Sequence, residues 1–273
     1  MLVINNKIFD LSMPKIMGIL NVTPDSFFDG GEYTSEKSIL TQVEKMLSDG
    51  ADIIDIGGMS TRPKAEFINE ETETQRVLHA LKLIKKEFPE ALISIDTFRS
   101  ALVRKCMSEG AHIINDISGG NFDSNMFQTI LDTKATYILM HSRGSFESMM
   151  RETRYNNVVT EVLDELITKL RFFKDNNFNN LIIDVGFGFS KTVDQNFELL
   201  KNLSVFKIIE CPLLVGLSRK SMIWRTLEIS AADALTGTIA LNFFALQKGA
   251  QILRVHDVLE AKQTVKLYKK LQF

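Results

Sequence analysis

Eight short runs of Ile, Leu and Val recur along the 273-residue chain, and each stops abruptly on polar residues. They fall at 16–20, 53–56, 92–95, 112–114, 137–140, 181–183, 213–217 and 252–255. The residues that follow or close them are Asn21, Thr61 with Arg62, Asp96, Asn115 with Asp116, His141, Asp184, Ser218 to Lys220, and Arg254 to His256. A strand of a parallel sheet with helices on both faces reads as an unbroken apolar run. Eight such runs with helical stretches between them predict a single (β/α)8 barrel, an α/β fold commonly built from about 250 residues. In that fold the C-terminal strand ends share one mouth. Residues scattered from 21 to 256 therefore face a common pocket, an arrangement suited to an enzyme.

Helical periodicity fills the intervals. The stretch 35–49 carries Ile39, Val43, Met46 and Leu47 on one face, with Ser35 as a cap and Gly50 as a stop. The stretch 158–177 carries an apolar stripe from Val159 to Phe173, and 70–88 ends at Pro89. The stretch 231–249 is rich in Ala and Gly, which suits close helix packing, either internal or between subunits. Two polar segments, 23–34 and 60–69, follow early strands and are expected at the mouth as loops. No linker or repeat interrupts this rhythm, so 1–273 reads as one domain.

Charge and cysteine use narrow the function. A net charge of −2 gives no basic field for nucleic acid or an anionic membrane surface. No apolar stretch approaches the roughly 20 residues that span a bilayer, and the first ten residues lack a signal-peptide pattern; a cytoplasmic protein is expected. Cys106 and Cys211 fit no metal or disulfide motif and read as buried free thiols.

The polar strand ends carry two chemistries. GLSRKS at 216–221 and RVH at 254–256 bring Ser218, Lys220, Ser221, Arg254 and His256 to adjacent strand ends, where barrel enzymes often bind phosphate. Arg219, alternating with its neighbours, is expected to face outward. Asp96, Asn115, Asp116 and Asp184 form an acidic and amide-bearing group. Such carboxylates need paired donors, from Arg or Lys or from a flat heterocycle presenting N–H groups. His141 reads as a satisfied core histidine in preference to a proton carrier. Phe27, Phe28, Phe187 and Phe189 sit in loops, where rings can flank a flat ligand. Glycine pairs at 30–31, 57–58 and 119–120 read as turns that open the backbone to a ligand. Neither a nucleophile elbow nor a GxGxxG context is present.

Taken in order, NVTPDSF at 21–27, DIGG-STRP at 55–63, SIDT at 94–97, INDISGG at 114–120, DVGFGF at 184–189, GLSRKS and RVHDV at 254–258 closely resemble the dihydropteroate synthase family of pterin-binding barrels. The resemblance implies condensation of p-aminobenzoate with 6-hydroxymethyl-7,8-dihydropterin pyrophosphate in folate biosynthesis, with sulfonamides as inhibitors. It implies that Asp96, Asn115, Asp184 and Lys220 hold the pterin, with Met140 beside it. By the same resemblance Asn21, Arg62, Arg254 and His256 bind pyrophosphate, and Asn21 also places Mg²⁺. Phe27, Thr61, Pro63, Phe189, Lys220 and Ser221 surround p-aminobenzoate, and Asp29 organises the closed site. Catalysis falls to Asp96, Asp184, Lys220, Arg254 and His256, through SN1-like loss of pyrophosphate. The family is generally a homodimer through its last helices. Some positions depart from its pattern: Met59 stands where Glu is usual, Lys64 where Gly, Phe28 where Ser, and HSRGSF at 141–146 where His-Met-x-Gly-x-Pro. A pterin-binding paralogue without activity and a methyltetrahydrofolate-binding barrel are the alternatives; the second has no use for a pyrophosphate clamp.

Overall fold

The inward and outward alternation of each apolar run determines how the chain closes. In the computed structural model, which describes residues 2–5, 7–23, 32–59 and 67–271, eight parallel strands form a closed barrel. They are β3 (Lys15–Asn21), β4 (Ile53–Gly57), β5 (Ile93–Asp96), β6 (Ile113–Asp116), β7 (Thr136–Met140), β8 (Leu181–Asp184), β9 (Leu213–Val215) and β10 (Ile252–Val255). β10 pairs with both β9 and β3 and completes the circle. Side chains at one parity (Ile54, Ile56, Ile93, Ile95, Ile114, Leu139, Ile183, Val215) pack against the surrounding helices. Those at the other parity (Met17, Ile53, Ile113, Ile138, Ile182, Leu214, Ile252) fill the lower interior. Both faces are apolar because both are buried, which is why the runs lack polar alternation.

Four of the strands run past the apolar run onto its polar terminator. Asn21, Asp96, Asn115, Asp116 and Asp184 thus lie on strands, not in loops. Register carries them around the rim: Asn21 pairs with Gly57, Gly57 with Asp96, and Asp96 with Asn115. Met140 pairs with Asp184 on the far side. Backbone ladders therefore fix the candidate site to strand precision.

Two short strands, β1 (Val3–Ile4) and β2 (Lys7–Ile8), form an antiparallel hairpin that the apolar runs do not announce. Leu2 and Ile4 seal the lower barrel layer, and the Val3 N–H donates to Asn180 Oδ1 at 2.9 Å. The plug leaves the interior to open at the C-terminal mouth.

The helices follow their sequence signals with modest shifts. α2 (Glu70–Glu87) starts at Asn69, whose side chain accepts from the Thr72 N–H, and its charges complement the helix dipole at both ends. α5 (Val158–Asp175) starts at Asn157 in the same way. α6 (Val193–Lys201) carries a full capping box from Thr192 and Gln195. α1 runs over Glu32–Asp49, so the helix begins ahead of Ser35, which was expected as its cap. α3 (Ser100–Ser108), α4 (Met126–Thr133), α7 (Ser221–Thr226), α8 (Leu235–Gln247) and α9 (Val258–Lys270) complete the outer ring.

Candidate active site

At the mouth the inward residues turn polar, and β10 supplies the central cation. The Arg254 Nε donates to Asp55 Oδ2 at 2.6 Å and its Nη2 to Asp96 Oδ2 at 2.6 Å. The Asn115 amide donates to the same Asp55 oxygen at 3.0 Å. Two carboxylates share one guanidinium in a largely buried site. Burial therefore pushes the Asp96 carboxyl up to about 7, over the lowering pull of Arg254, and the Asp55 charge adds to the rise. Asp55 was not assigned a role from the sequence, yet it is fully buried at the centre of this network. The signal was present: a carboxylate inside the apolar run 53–56 is costly unless something is paired to it.

β8 and the loop after β9 build the opposite wall. Asp184 is buried, and its Oδ1 accepts the Gly186 N–H at 2.8 Å. Burial raises its carboxyl, partly countered by Lys220 and Arg254. Lys220 caps α7, donates to the Phe187 carbonyl and holds its ammonium 4.8 Å from the Phe189 ring centre. Burial lowers this amine to about 8. Gly188 makes room for it, since a Cβ there would come within 3.0 Å of the lysine stem. Ser221 opens α7 immediately after it. Phe189 is half-buried at the mouth. Phe187, expected as a second loop ring, is fully buried in the helix-facing core, because the alternation of the loop turns it away from the pocket.

The loop between β8 and α6 is held from behind by a buried lysine that the sequence reading passed over. Lys191 Nζ donates to the Gly186 and Phe189 carbonyls at 3.1 and 3.0 Å and lies 3.0 Å from His141 Nδ1. His141 Nε2 meets Glu165 at 3.0 Å, and Glu165 also pairs with Arg143. Burial depresses Lys191 to about 7 and His141 to about 4, while Glu165 falls to about 2 beside its two donors. His141 is thus the satisfied core histidine expected. Arg143, at the variable position of the segment 141–146, stacks 3.9 Å over the Tyr155 ring and also pairs with Glu161.

The remaining strand ends sort by parity. The Ser218 hydroxyl lies 3.0 Å from His256 Nδ1 and accepts the His256 N–H at 3.2 Å, linking the last two strand ends. Arg219 faces away, as expected, and pairs with Asp257 at 2.9 Å. Asp116 also points outward: it accepts from Ser118, Gly120 and Tyr137 and serves structure, not the pocket. Met140 lies with Met59, Phe98, Ile117 and Met149 in an apolar patch beside Phe189. Of the glycine pairs, 119–120 adopts positive φ as a turn, whereas Gly57 and Gly58 serve close approach. Cys106 is buried and Cys211 half-buried, both free. Phe27, Phe28, Asp29, the 30–31 pair, Thr61, Arg62, Pro63 and Lys64 lie outside the described residues.

For a divalent cation the rim offers the neutral oxygen Asn21 Oδ1, 3.3 Å from where a Gly57 Cβ would stand, with Asp96 Oδ2 at 3.9 Å from the same point. Among the described residues no group of three or more His, Cys, Asp or Glu could hold a metal. Mg²⁺ characteristically keeps several waters and binds through one or two protein oxygens plus substrate phosphates. The donor set therefore fits a Mg²⁺ delivered with a pyrophosphate and not a resident ion in a protein cage.

Comparison with known proteins agrees with this geometry. Residues 17–256 match the family model of pterin binding enzymes. The chain is 42% identical over 267 residues to the dihydropteroate synthase of Haemophilus influenzae, covering 97% of this chain and 96% of that one. It superposes on a Yersinia pestis dihydropteroate synthase solved with a sulfonamide drug, with a TM-score of 0.92 at 36% identity, covering 99% and 98% of the two chains. A Xanthomonas albilineans dihydropteroate synthase solved with 4-aminobenzoic acid gives a TM-score of 0.90 at 32% identity, covering 98% and 96%. The barrel, the order of its polar strand ends and these full-length likenesses together show that the chain belongs to the dihydropteroate synthases of the pterin-binding enzyme family.

Proposed function

We propose that the mouth described above performs the dihydropteroate synthase reaction with a flat-ring pocket and an anion pocket set side by side. Asp184 and Asn115 take the hydrogen-bonding edge of the pterin, with Asp96 and Lys220 beside it and Met140 against the ring. Arg254, His256, Asn21 and Arg62 take the pyrophosphate. Phe27, Thr61, Pro63, Phe189, Lys220 and Ser221 surround p-aminobenzoate. The observation that carries this reading is the junction at Arg254, which joins Asp96 of the heterocycle wall to the cationic strand ends. The relatives described with a sulfonamide and with 4-aminobenzoic acid support an arylamine site in this chain.

The chemistry follows from charge. The bond between the exocyclic methylene carbon and the pyrophosphate oxygen breaks, and the oxygen keeps the electron pair. Preorganised N–H donors of Arg254 and His256 stabilise the negative charge that develops there. Asn21 would hold a Mg²⁺ arriving with the substrate, and that ion would add Lewis-acid stabilisation of the leaving group. The positive charge left on the methylene is conjugated with the pterin, and buried Asp96 and Asp184 offset it. The arylamine lone pair then forms the C–N bond and its proton passes to solvent, so no activated nucleophile is required.

The same reading places the protein in the cytoplasm as a homodimer. Among the described residues no helix is long and apolar enough to cross a membrane. On α8 and α9, Ile239, Leu259 and Leu267 are exposed apolar side chains, and Leu271 follows at the end of α9; all are suited to a second copy. The whole chain 1–273 is read as one domain.

Lys220→Ala tests the pocket. It is expected to lower kcat/KM by on the order of 100-fold or more, the usual effect of removing one preorganised donor, and sulfonamides are expected to compete with p-aminobenzoate. Unchanged turnover, or inhibition indifferent to p-aminobenzoate concentration, overturns the assignment.

A further inference from the structure

We infer that Asp55 is a positioning residue for this reaction: its buried carboxylate sets the orientation of Asn115 and Arg254 together, so that Asn115 presents its carbonyl to the pterin edge. The inference deepens the proposed pterin and pyrophosphate assignments and rests on them.

The geometry is specific. Asp55 sits on the inward parity of β4, one step below Gly57, and is fully buried. A single oxygen, Oδ2, accepts from Arg254 Nε at 2.6 Å and from Asn115 Nδ2 at 3.0 Å. A carboxylate paired with a guanidinium only accepts hydrogen bonds, so the Asn115 amide must turn its N–H side toward it. The Asn115 oxygen is thereby left for donors, which is what the amino and ring N–H groups of a pterin provide. For Arg254 the consequence is parallel. With Nε committed to Asp55 and one Nη2 proton to Asp96, the guanidinium plane is fixed, and the Nη1–Nη2 end of the fork remains for an oxyanion.

Stability alone is a poor account of this residue. A buried ion pair is seldom better for folding than apolar side chains of the same volume. Asp55 Oδ1 also lacks a hydrogen-bond partner, as does the hydroxyl of Ser94, its register neighbour on β5. A carboxylate retained for packing is normally satisfied at both oxygens. Here one oxygen does the holding, and both groups it holds face the ligand.

The experiment is a double-mutant cycle on the full-length protein with Asp55→Asn and Asn115→Ala, reading KM for each substrate and kcat. Asp55→Asn is expected to raise KM for dihydropterin pyrophosphate about tenfold, with KM for p-aminobenzoate within about twofold of its starting value. With Asn115→Ala already present, the further effect of Asp55→Asn is expected to shrink below tenfold, to the part carried through Arg254, because the Asn115 contact is already gone. Independent, multiplying effects, or a loss of activity that follows only the folded fraction with both KM values unchanged, overturn the inference. Lys220→Ala run alongside separates the two levels. If it is inactive while Asp55→Asn is normal, only the Asp55 inference fails; if it is fully active, the pocket assignment itself fails. Should Asp55→Asn not fold, the unsubstituted protein provides the test through 15N NMR of its asparagine side chains. One Asn115 amide proton shifted and protected from exchange relative to its geminal partner supports the inference, and two equivalent, rapidly exchanging protons overturn it.

Discussion

Lys191→Met isolates the buried ammonium that ties the loop after β8 to the barrel. The substitution keeps the stem and removes the charge and its donors to the Gly186 and Phe189 carbonyls and to His141. Burial lowers this amine to about 7, which at ~1.4 kcal/mol for each tenfold change amounts to ~5 kcal/mol against the charged form. Removing the charge relieves that cost. Leaving two buried carbonyls and a ring nitrogen without a donor costs ~1–3 kcal/mol each. The two effects nearly offset near pH 7, so the variant is expected to lie within ~3 kcal/mol of the parent there.

The pH dependence is the sharper readout. The folded protein releases the Lys191 proton near 7, whereas the unfolded chain holds it to about 10.4. Between these values the unfolded chain binds more protons, so the parent gains stability as pH rises, by ~1.4 kcal/mol per unit. Lys191→Met lacks that gain. Urea unfolding of both proteins at pH 7, 8, 9 and 10 is expected to show the variant falling behind by ~4 kcal/mol across the series. Asp184, Lys220, Glu165 and Arg143 act on the same ammonium, but they are common to both proteins and largely cancel in the difference. A stability difference that stays flat from pH 7 to 10 refutes the reasoning, since it means that the amine titrates alike in folded and unfolded chains.

Two further substitutions probe the scaffold. Gly186→Ala adds a Cβ at φ +73°, 2.0 Å from the His141 carbonyl; left-handed strain of ~1–2 kcal/mol plus displacement of the loop is expected to lower Tm by about 5–10 °C and weaken p-aminobenzoate saturation, and a Tm within about 1 °C of the parent contradicts the loop geometry. Arg254→Ala leaves Asp55 and Asp96 facing each other without a cation; it is expected to abolish turnover and to cost ~3–5 kcal/mol at pH 8. That deficit narrows as pH falls, because burial raises the Asp96 carboxyl and the loss of Arg254 removes the charge that lowers it, so the folded variant takes up a proton there more readily. Denaturation at pH 8 and pH 5 checks the trend, and a deficit that widens toward acid contradicts it.

The strands were legible because a buried parallel strand must be apolar on both faces, and the site was legible because it begins where that requirement stops. Asp96, Asn115, Asp184 and Arg254 announced themselves as polar residues ending apolar runs. Arg219 was read outward from alternation alone, and Asp257 holds it there. Asp55 escaped because it lies within a run whose neighbours hide it, and its partners are 60 and 199 residues away. Lys191 escaped for the opposite reason: a lysine beside Ser190 and Thr192 looks solvated, and only the fold buries it. Phe187 was misplaced because ring orientation in a loop depends on the positive φ of Gly186 and Gly188, which composition does not reveal. The N-terminal hairpin was missed because two-residue strands carry no periodicity.

The central claim is that this pocket couples loss of pyrophosphate to capture by an arylamine. The direct measurement follows pyrophosphate released from 6-hydroxymethyl-7,8-dihydropterin pyrophosphate and Mg²⁺, with and without p-aminobenzoate. The account predicts sustained release that depends on p-aminobenzoate, with 7,8-dihydropteroate appearing mole for mole. Tight pterin binding with no release, or release with no dihydropteroate formed, contradicts it.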